Sequence, residues 1–154
     1  MEILVYAAVS VVIFLAVYNF LTWAVKSNKK IMAMREVADN SRRVMEILAY
    51  EIREAENVYT PTSTSTQLSL ETKHYLPPGE SSTFIDFYLC GETTSTICFK
   101  KESQNPIAIT SEAVSVNKLI FSQSSTTSVQ IVFGVDYQNL FSMDSTSTIS
   151  LRNY

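Results

Sequence analysis

Ile3 to Val25 is an unbroken run of 23 residues without a charge, a Pro or a Gly. A helix of that length, at roughly 1.5 Å per residue, spans about 35 Å, enough to cross a hydrocarbon core of about 30 Å with some tilt. The pattern then changes without a break. No Gly or Pro occurs before Pro61, so nothing stops the helix at the end of the apolar run. Met34, Ala38, Ser41, Met45, Leu48, Ile52, Ala55 and Tyr59 recur at alternating steps of four and three, with Val37, Val44 and Val58 widening the stripe. The opposite face carries Arg35, Glu36, Asp39, Asn40, Arg42, Arg43, Glu46 and Glu54, and Asp39 with Arg43 has the favourable i, i+4 order. The expectation is one long helix that packs on the rest of the molecule through Met45, Leu48, Ile52 and Ala55. A parallel coiled coil is poorly specified by fewer than four heptads with Ala38, Ser41 and Ala55 in the seam.

From Asn57 to Thr66 the sequence reads NVYTPTSTST, where Pro61 and β-branched hydroxyl residues end the helix in favour of extended backbone. Short runs beyond it read as strands: Gln67 to Leu70, Thr83 to Leu89, Thr96 to Lys100, Lys118 to Ser122, Ser128 to Phe133 and Thr148 to Leu151. Pro77-Pro78-Gly79, Gly91, Asn105-Pro106 and the hydroxyl clusters at Ser122 to Ser128 and Asp144 to Thr148 separate them as turn signals. Connections this short exclude parallel crossovers, so the sheet is expected to be antiparallel. Alternation places Val129, Ile131 and Phe133 on one face of their strand, the face expected to receive the helix stripe. The fold class is α+β, in three segments: a spanning helix over 1–25, its amphipathic continuation over 26–58, and a β-rich head over 59–154.

Composition sharpens the division. Ser and Thr dominate after Val58, and a head of that size is too small to wrap the leading helix on all sides, which argues against a soluble protein with a buried helix. A cleaved secretory signal fits less well than a retained helix, because the basic start, short apolar core and small-residue cleavage site are not visible. The net charge of −3 offers no basic surface from which a nucleic-acid contact follows. The one cationic cluster, Lys26, Lys29, Lys30, Arg35, Arg42 and Arg43, flanks the apolar run; by the positive-inside rule it draws the head towards the cytoplasm. Cys90 and Cys98 with a hydroxyl-rich head suit an oxidising exterior instead, either as a disulfide or as free thiols. If bridged, they close a ring around GETTSTI that contributes roughly 2 to 3 kcal/mol.

Catalytic chemistry has little to work with. His74 is the single histidine and lacks any recognised arrangement of nucleophile and carboxylate around it, so it reads as a surface or loop residue. With Gly79, Gly91 and Gly134 the only glycines, no phosphate-binding loop is present, and zinc and EF-hand spacings are missing. Asp136 and Asp144 read as loop carboxylates. No enzyme activity, cofactor or metal is expected. Glu2 is more informative: a carboxylate at the tip of an apolar helix sits at the membrane surface, and one drawn into a dry helical assembly needs a cationic partner, which a neighbouring amine can supply.

The chain resembles the type IV pilin-like family, whose mature subunits begin with an apolar helix bearing one Glu near its start. Glu2-Ile3-Leu4-Val5 is similar to the end of that family's processing motif. VADNSRR followed by MEILAYEIREAENV, then ITSEAVSVNKLIFSQ, SVQIVFGV and the closing ISLRNY, are similar to the W-type minor pilins and J-type minor pseudopilins. The resemblance covers nearly the whole chain. It implies a structural subunit of a pilus or a type II secretion-like filament, assembled from a single-pass membrane precursor with its head outside the cytoplasm. The partners implied are other pilin or pseudopilin subunits, membrane lipid before assembly, an assembly platform protein, and a prepilin peptidase acting on a leader. The family's basic leader and peptidase-site Gly do not precede Glu2, so the reading frame is expected to continue upstream of Met1; a basic leader there would also offset the cationic cluster in setting orientation. The competing reading is a membrane-tethered extracytoplasmic sensor or adhesin that does not polymerise.

Overall fold

The computed structural model describes residues 2–74, 76, 78–91, 95–102, 104–125 and 127–152, apart from the side chain of Leu4. Met1, Pro77, the centre of the GETTSTI ring at 92–94, and Asn153 and Tyr154 of ISLRNY lie outside the described residues. A single helix, α1 (Glu2–Glu54), runs without interruption for 53 residues, about 80 Å at roughly 1.5 Å per residue. The absence of Gly and Pro permits this, and tertiary packing holds only its second half.

The helix closes at Glu54, well before Pro61. The Thr72 hydroxyl donates to the Glu54 carbonyl at 3.1 Å, satisfying one of the terminal acceptors that a helix end leaves open. Asn57 and Val58, assigned above to the helix, instead form a two-residue strand, β1 (Asn57–Val58), paired antiparallel with β2 (Gln67–Thr72). The local competition favours a strand there because Glu56 and Tyr59 donate their amides to the carbonyls of Glu71 and Ser69, each at 2.9 Å.

Among the described residues the head is all antiparallel and falls into two sheets. The first has the order β1-β2-β3-β4-β5, adding β3 (Thr83–Cys90), β4 (Thr96–Lys101) and β5 (Ile107–Ala108). The second is a meander of β6 (Ser115–Ser125), β7 (Ser128–Tyr137) and β8 (Phe141–Ser150). β6 links the sheets, since Val116 donates its amide to Ser95 at 2.7 Å and Phe121 to Ser65 at 2.8 Å. Along β7, Val129, Ile131, Phe133 and Val135 face inward, as the alternation predicts, and Ser128, Gln130 and Val132 lie on the other face. One core joins Val37, Val44, Leu48 and Ile52 of α1 to residues of both sheets, Phe87 and Phe133 being its largest fully buried members.

Three expectations need correction. Asp144 to Thr148, read as a turn, lies within the ten-residue β8, and Asp136 belongs to β7, so neither carboxylate is a loop residue. The turn is Gln138-Asn139, both at positive φ (48° and 56°), where Asp136 accepts the Asn139 amide at 2.9 Å. Met34 and Ala38 on the helix, and Tyr59 beyond its end, are exposed, whereas Asn40, placed on the polar face, is buried with Ala33, Val37 and Ser41. The ion pair that forms on that outer face joins Arg42 to Glu46 at 2.7 Å rather than Asp39 to Arg43.

Candidate functional site

The first candidate surface is the leading part of α1. No described residue before Ala33 is buried, and the exposed side chains include Ile3, Phe14, Tyr18, Phe20 and Trp23. The helix is long and apolar enough to cross a membrane, with a mean hydropathy of 2.0 in its apolar window. Its internal polar groups are satisfied locally: Ser10 donates to the Tyr6 carbonyl, Asn19 to Leu15 and Thr22 to Asn19, at 2.8 to 2.9 Å. This is the arrangement that lets polar side chains lie in hydrocarbon at modest cost. Glu2 sits in the first turn of the helix and is exposed; the positive end of the helix dipole favours a carboxylate there.

The second surface is where α1 docks on the head, mainly against β7 and β8. Leu48, Ile52 and Ala55 are fully buried there, while Met45 is half-buried at the margin of the core. Sequence reasoning missed the polar contact beside them. The Ser111 amide donates to Asn40 Oδ1 at 2.8 Å, Asn40 Nδ2 donates to Ser111 Oγ at 3.2 Å, and Ser111 Oγ donates to Glu36 Oε1 at 2.9 Å. Asn40 Nδ2 also reaches Glu36 Oε1 at 3.0 Å and the Glu36 carbonyl at 2.9 Å. The signal was present: Ala33, Val37, Asn40, Val44 and Leu48 follow steps of four and three as well as the stripe that begins at Met34.

Glu51 is the buried ionisable group of this interface. Desolvation pushes its carboxyl above the usual carboxylate range, a shift that Lys101, His74 and the Lys101 hydrogen bond only partly oppose. Lys101 Nζ stands 3.7 Å from Oε1, and Oε2 has no hydrogen-bond partner among the described residues. His74 is an exposed turn residue just past β2, with Nε2 3.4 Å from the Tyr50 hydroxyl.

Cys90 and Cys98 form a disulfide, with their Cα atoms 5.8 Å apart. It crosses the β3–β4 hairpin diagonally, two residues out of register, Cys90 lying opposite Thr96 and Cys98 opposite Tyr88, and so fixes the end of the hairpin. A cavity of about 300 Å³ opens between the sheets, with Val58, Leu68, Phe121 and Val129 beneath a rim of hydroxyl side chains. Among the described residues no three His, Cys, Asp or Glu side chains converge as a metal site. Comparison with family models, with curated proteins and with solved structures finds no match to this chain.

Proposed function

We propose that the chain is a structural, non-enzymatic subunit of the minor pilin or pseudopilin kind, inserted in a membrane by the first half of α1 and later packed in a filament. The carrying observation is the division of one uninterrupted helix: from Ala33 onward it is docked on the head, while no described residue before that point is buried and the apolar segment Ile3 to Val25 lies there. Such a rod is stable in water only as a liability, and either lipid or the helices of neighbouring subunits satisfy it. Exchange of one for the other is the proposed mechanism. Membrane lipid holds the subunit before assembly, and an assembly platform protein extracts it. Other pilin or pseudopilin subunits then surround the helix, with Glu2 paired to a neighbour's amine. Repetition of one head-to-tail contact generates an open helical array. A prepilin peptidase belongs to the scheme where a leader precedes Glu2.

Glu2→Ala tests the reading in the native host. The variant is expected to insert in the membrane at the wild-type level and to be lost from the sheared filament fraction. Normal incorporation of the variant would remove the role given to Glu2, and absence of the wild-type chain from the filament fraction would instead favour a tethered sensor or adhesin that does not polymerise.

A further inference from the structure

We propose that the outer edge of β8 is a strand-addition site for an extended segment of a different polypeptide carrying a basic residue at or next to the position facing Asp144. The molecule treats its four sheet edges unequally. β1 and β5, the edges of the first sheet, are two residues long, which is one way proteins blunt an edge. β6 is bulged near Asn117 and again near Gln123, and backbone bonds to Ser65 and Ser95 tie it to the first sheet. β8 has none of these protections. It is ten residues long, pairs with β7 in unbroken register from Tyr137–Phe141 to Ser128–Ser150, and contains no Pro, Lys or Arg. A regular edge of this kind presents unpaired amides and carbonyls to any extended chain.

Charge narrows the occupant. Asp144 is the only charged residue of β8. It shares the outer face with Asp136, its diagonal neighbour on β7, while Lys118 lies two strands away across the row through Gly134. The Asp144 carboxylate leans over Gly134 beside the Asn117 amide oxygen, at a position a Cβ on Gly134 would block. An added strand therefore lies beside Asp144, with Asp136 one strand behind it on the same face and no cation on β8, and a Lys or Arg on that strand complements this negative charge.

A second copy of this chain is the obvious rival, because β8 is self-complementary in sequence. Antiparallel pairing about Thr146 sets Met143 against Ile149 and Phe141 against Leu151 on the inner face, with Ser142 against Ser150 on the outer. Such a pair is related by a two-fold axis normal to the sheet. That axis reverses every direction in the sheet plane, including the helix packed on it, so the two apolar rods would point opposite ways. This exclusion rests on the proposed function, in which the helices of all subunits enter one membrane with one polarity.

Photo-crosslinking of the full chain in its native host tests the site, with the crosslinker at Thr146 or at Thr148 and a control at Ser122 on the outer face of β6. The expected result is one adduct with the same foreign polypeptide from both β8 positions and none from Ser122. The captured residue is expected to shift by two when the crosslinker moves by two, the signature of a paired strand, and Asp144→Lys should lower the yield about tenfold. No adduct, capture of this chain's own β8, or captured residues that do not move in step would overturn the proposal. Membrane and filament fractions from the same cells separate the two ideas. A register-dependent foreign adduct on a chain missing from both fractions keeps the edge site and removes the filament role, whereas a filament-borne chain without the adduct does the opposite.

Discussion

Asn40 on the helix and Ser111 on the loop after β5 hold each other by two hydrogen bonds, amide to Oδ1 at 2.8 Å and Nδ2 to Oγ at 3.2 Å. The contact occurs near the point where α1 leaves the head, and Glu36 completes it by accepting from both partners. Apolar packing between Leu48, Ile52 and the sheets supplies most of the docking energy, but it is tolerant of rotation. A buried carboxamide with directed bonds is not, so Asn40 fixes the azimuth at which the helix emerges and hence which of its faces meets a neighbour.

Asn40→Ala is expected to destabilise the head by about 1–2 kcal/mol, because the half-buried Ser111 amide loses its acceptor and is left beside a group that accepts nothing. Asn40→Asp retains the acceptor but sets a second carboxylate against Glu36, so it should also lower the melting temperature, more at pH 7 than at pH 4. Thermal unfolding followed by near-ultraviolet circular dichroism reads both.

The observed phase of the helix is tested by a pair of truncations. Leu48→Ala removes a fully buried side chain and is expected to cost about 2–5 kcal/mol. Met34→Ala, at an exposed position of the stripe read from the sequence, is expected to stay within about 0.5 kcal/mol of wild type. Similar losses in the two variants would contradict the helix orientation described above.

Burial makes the contribution of Glu51 to stability depend on pH. Burial raises its folded-state pKa, so the folded protein keeps this proton to higher pH than the unfolded chain does. Below the unfolded value of about 4.3 the carboxyl costs nothing, stability falls as pH rises from there through the folded value, and above it the loss is complete. Glu51→Gln is therefore expected to be more stable than wild type at pH 7, with the gain vanishing near pH 4. A variant less stable at pH 7 would mean that the attraction of Lys101 exceeds the desolvation of the pair. Denaturant titrations at the two pH values decide it.

Removing the disulfide by the paired change Cys90→Ser and Cys98→Ser is expected to cost about 2–3 kcal/mol, from the closure entropy of a short ring, with a sequence separation of 8. The shift in the urea midpoint measures it, and reduction of the wild-type chain should reproduce the value.

Much of this architecture is legible in the sequence where side chains differ strongly in polarity. The unbroken α1 follows from the missing Gly and Pro, and β7 from the alternation of Val129, Ile131 and Phe133. β8 was hidden because its inward positions include Ser145 and Ser147, small hydroxyl residues that carry no hydrophobic period, so the stretch reads as a turn. The helix face was read about one position out of phase because Asn40, a polar residue on the buried face, masks the true stripe and Met34 and Ala38 offer a plausible false one. Two-residue strands such as β1 and β5 exist only through their partners and leave no local signature. The Asn40–Ser111 contact joins residues 71 apart, and no periodicity connects positions across such a distance.

In the proposed assembly the apolar half of α1 passes from lipid to a protein environment without being removed. Pulse–chase labelling of the intact chain in its host, followed by separation of membrane and sheared filament fractions, measures this directly. Label is expected first in the membrane and then in the filament, on a polypeptide that retains Ile3 to Val25. Recovery of all label as a soluble head lacking that segment, or as a monomer that never leaves the membrane, would contradict it.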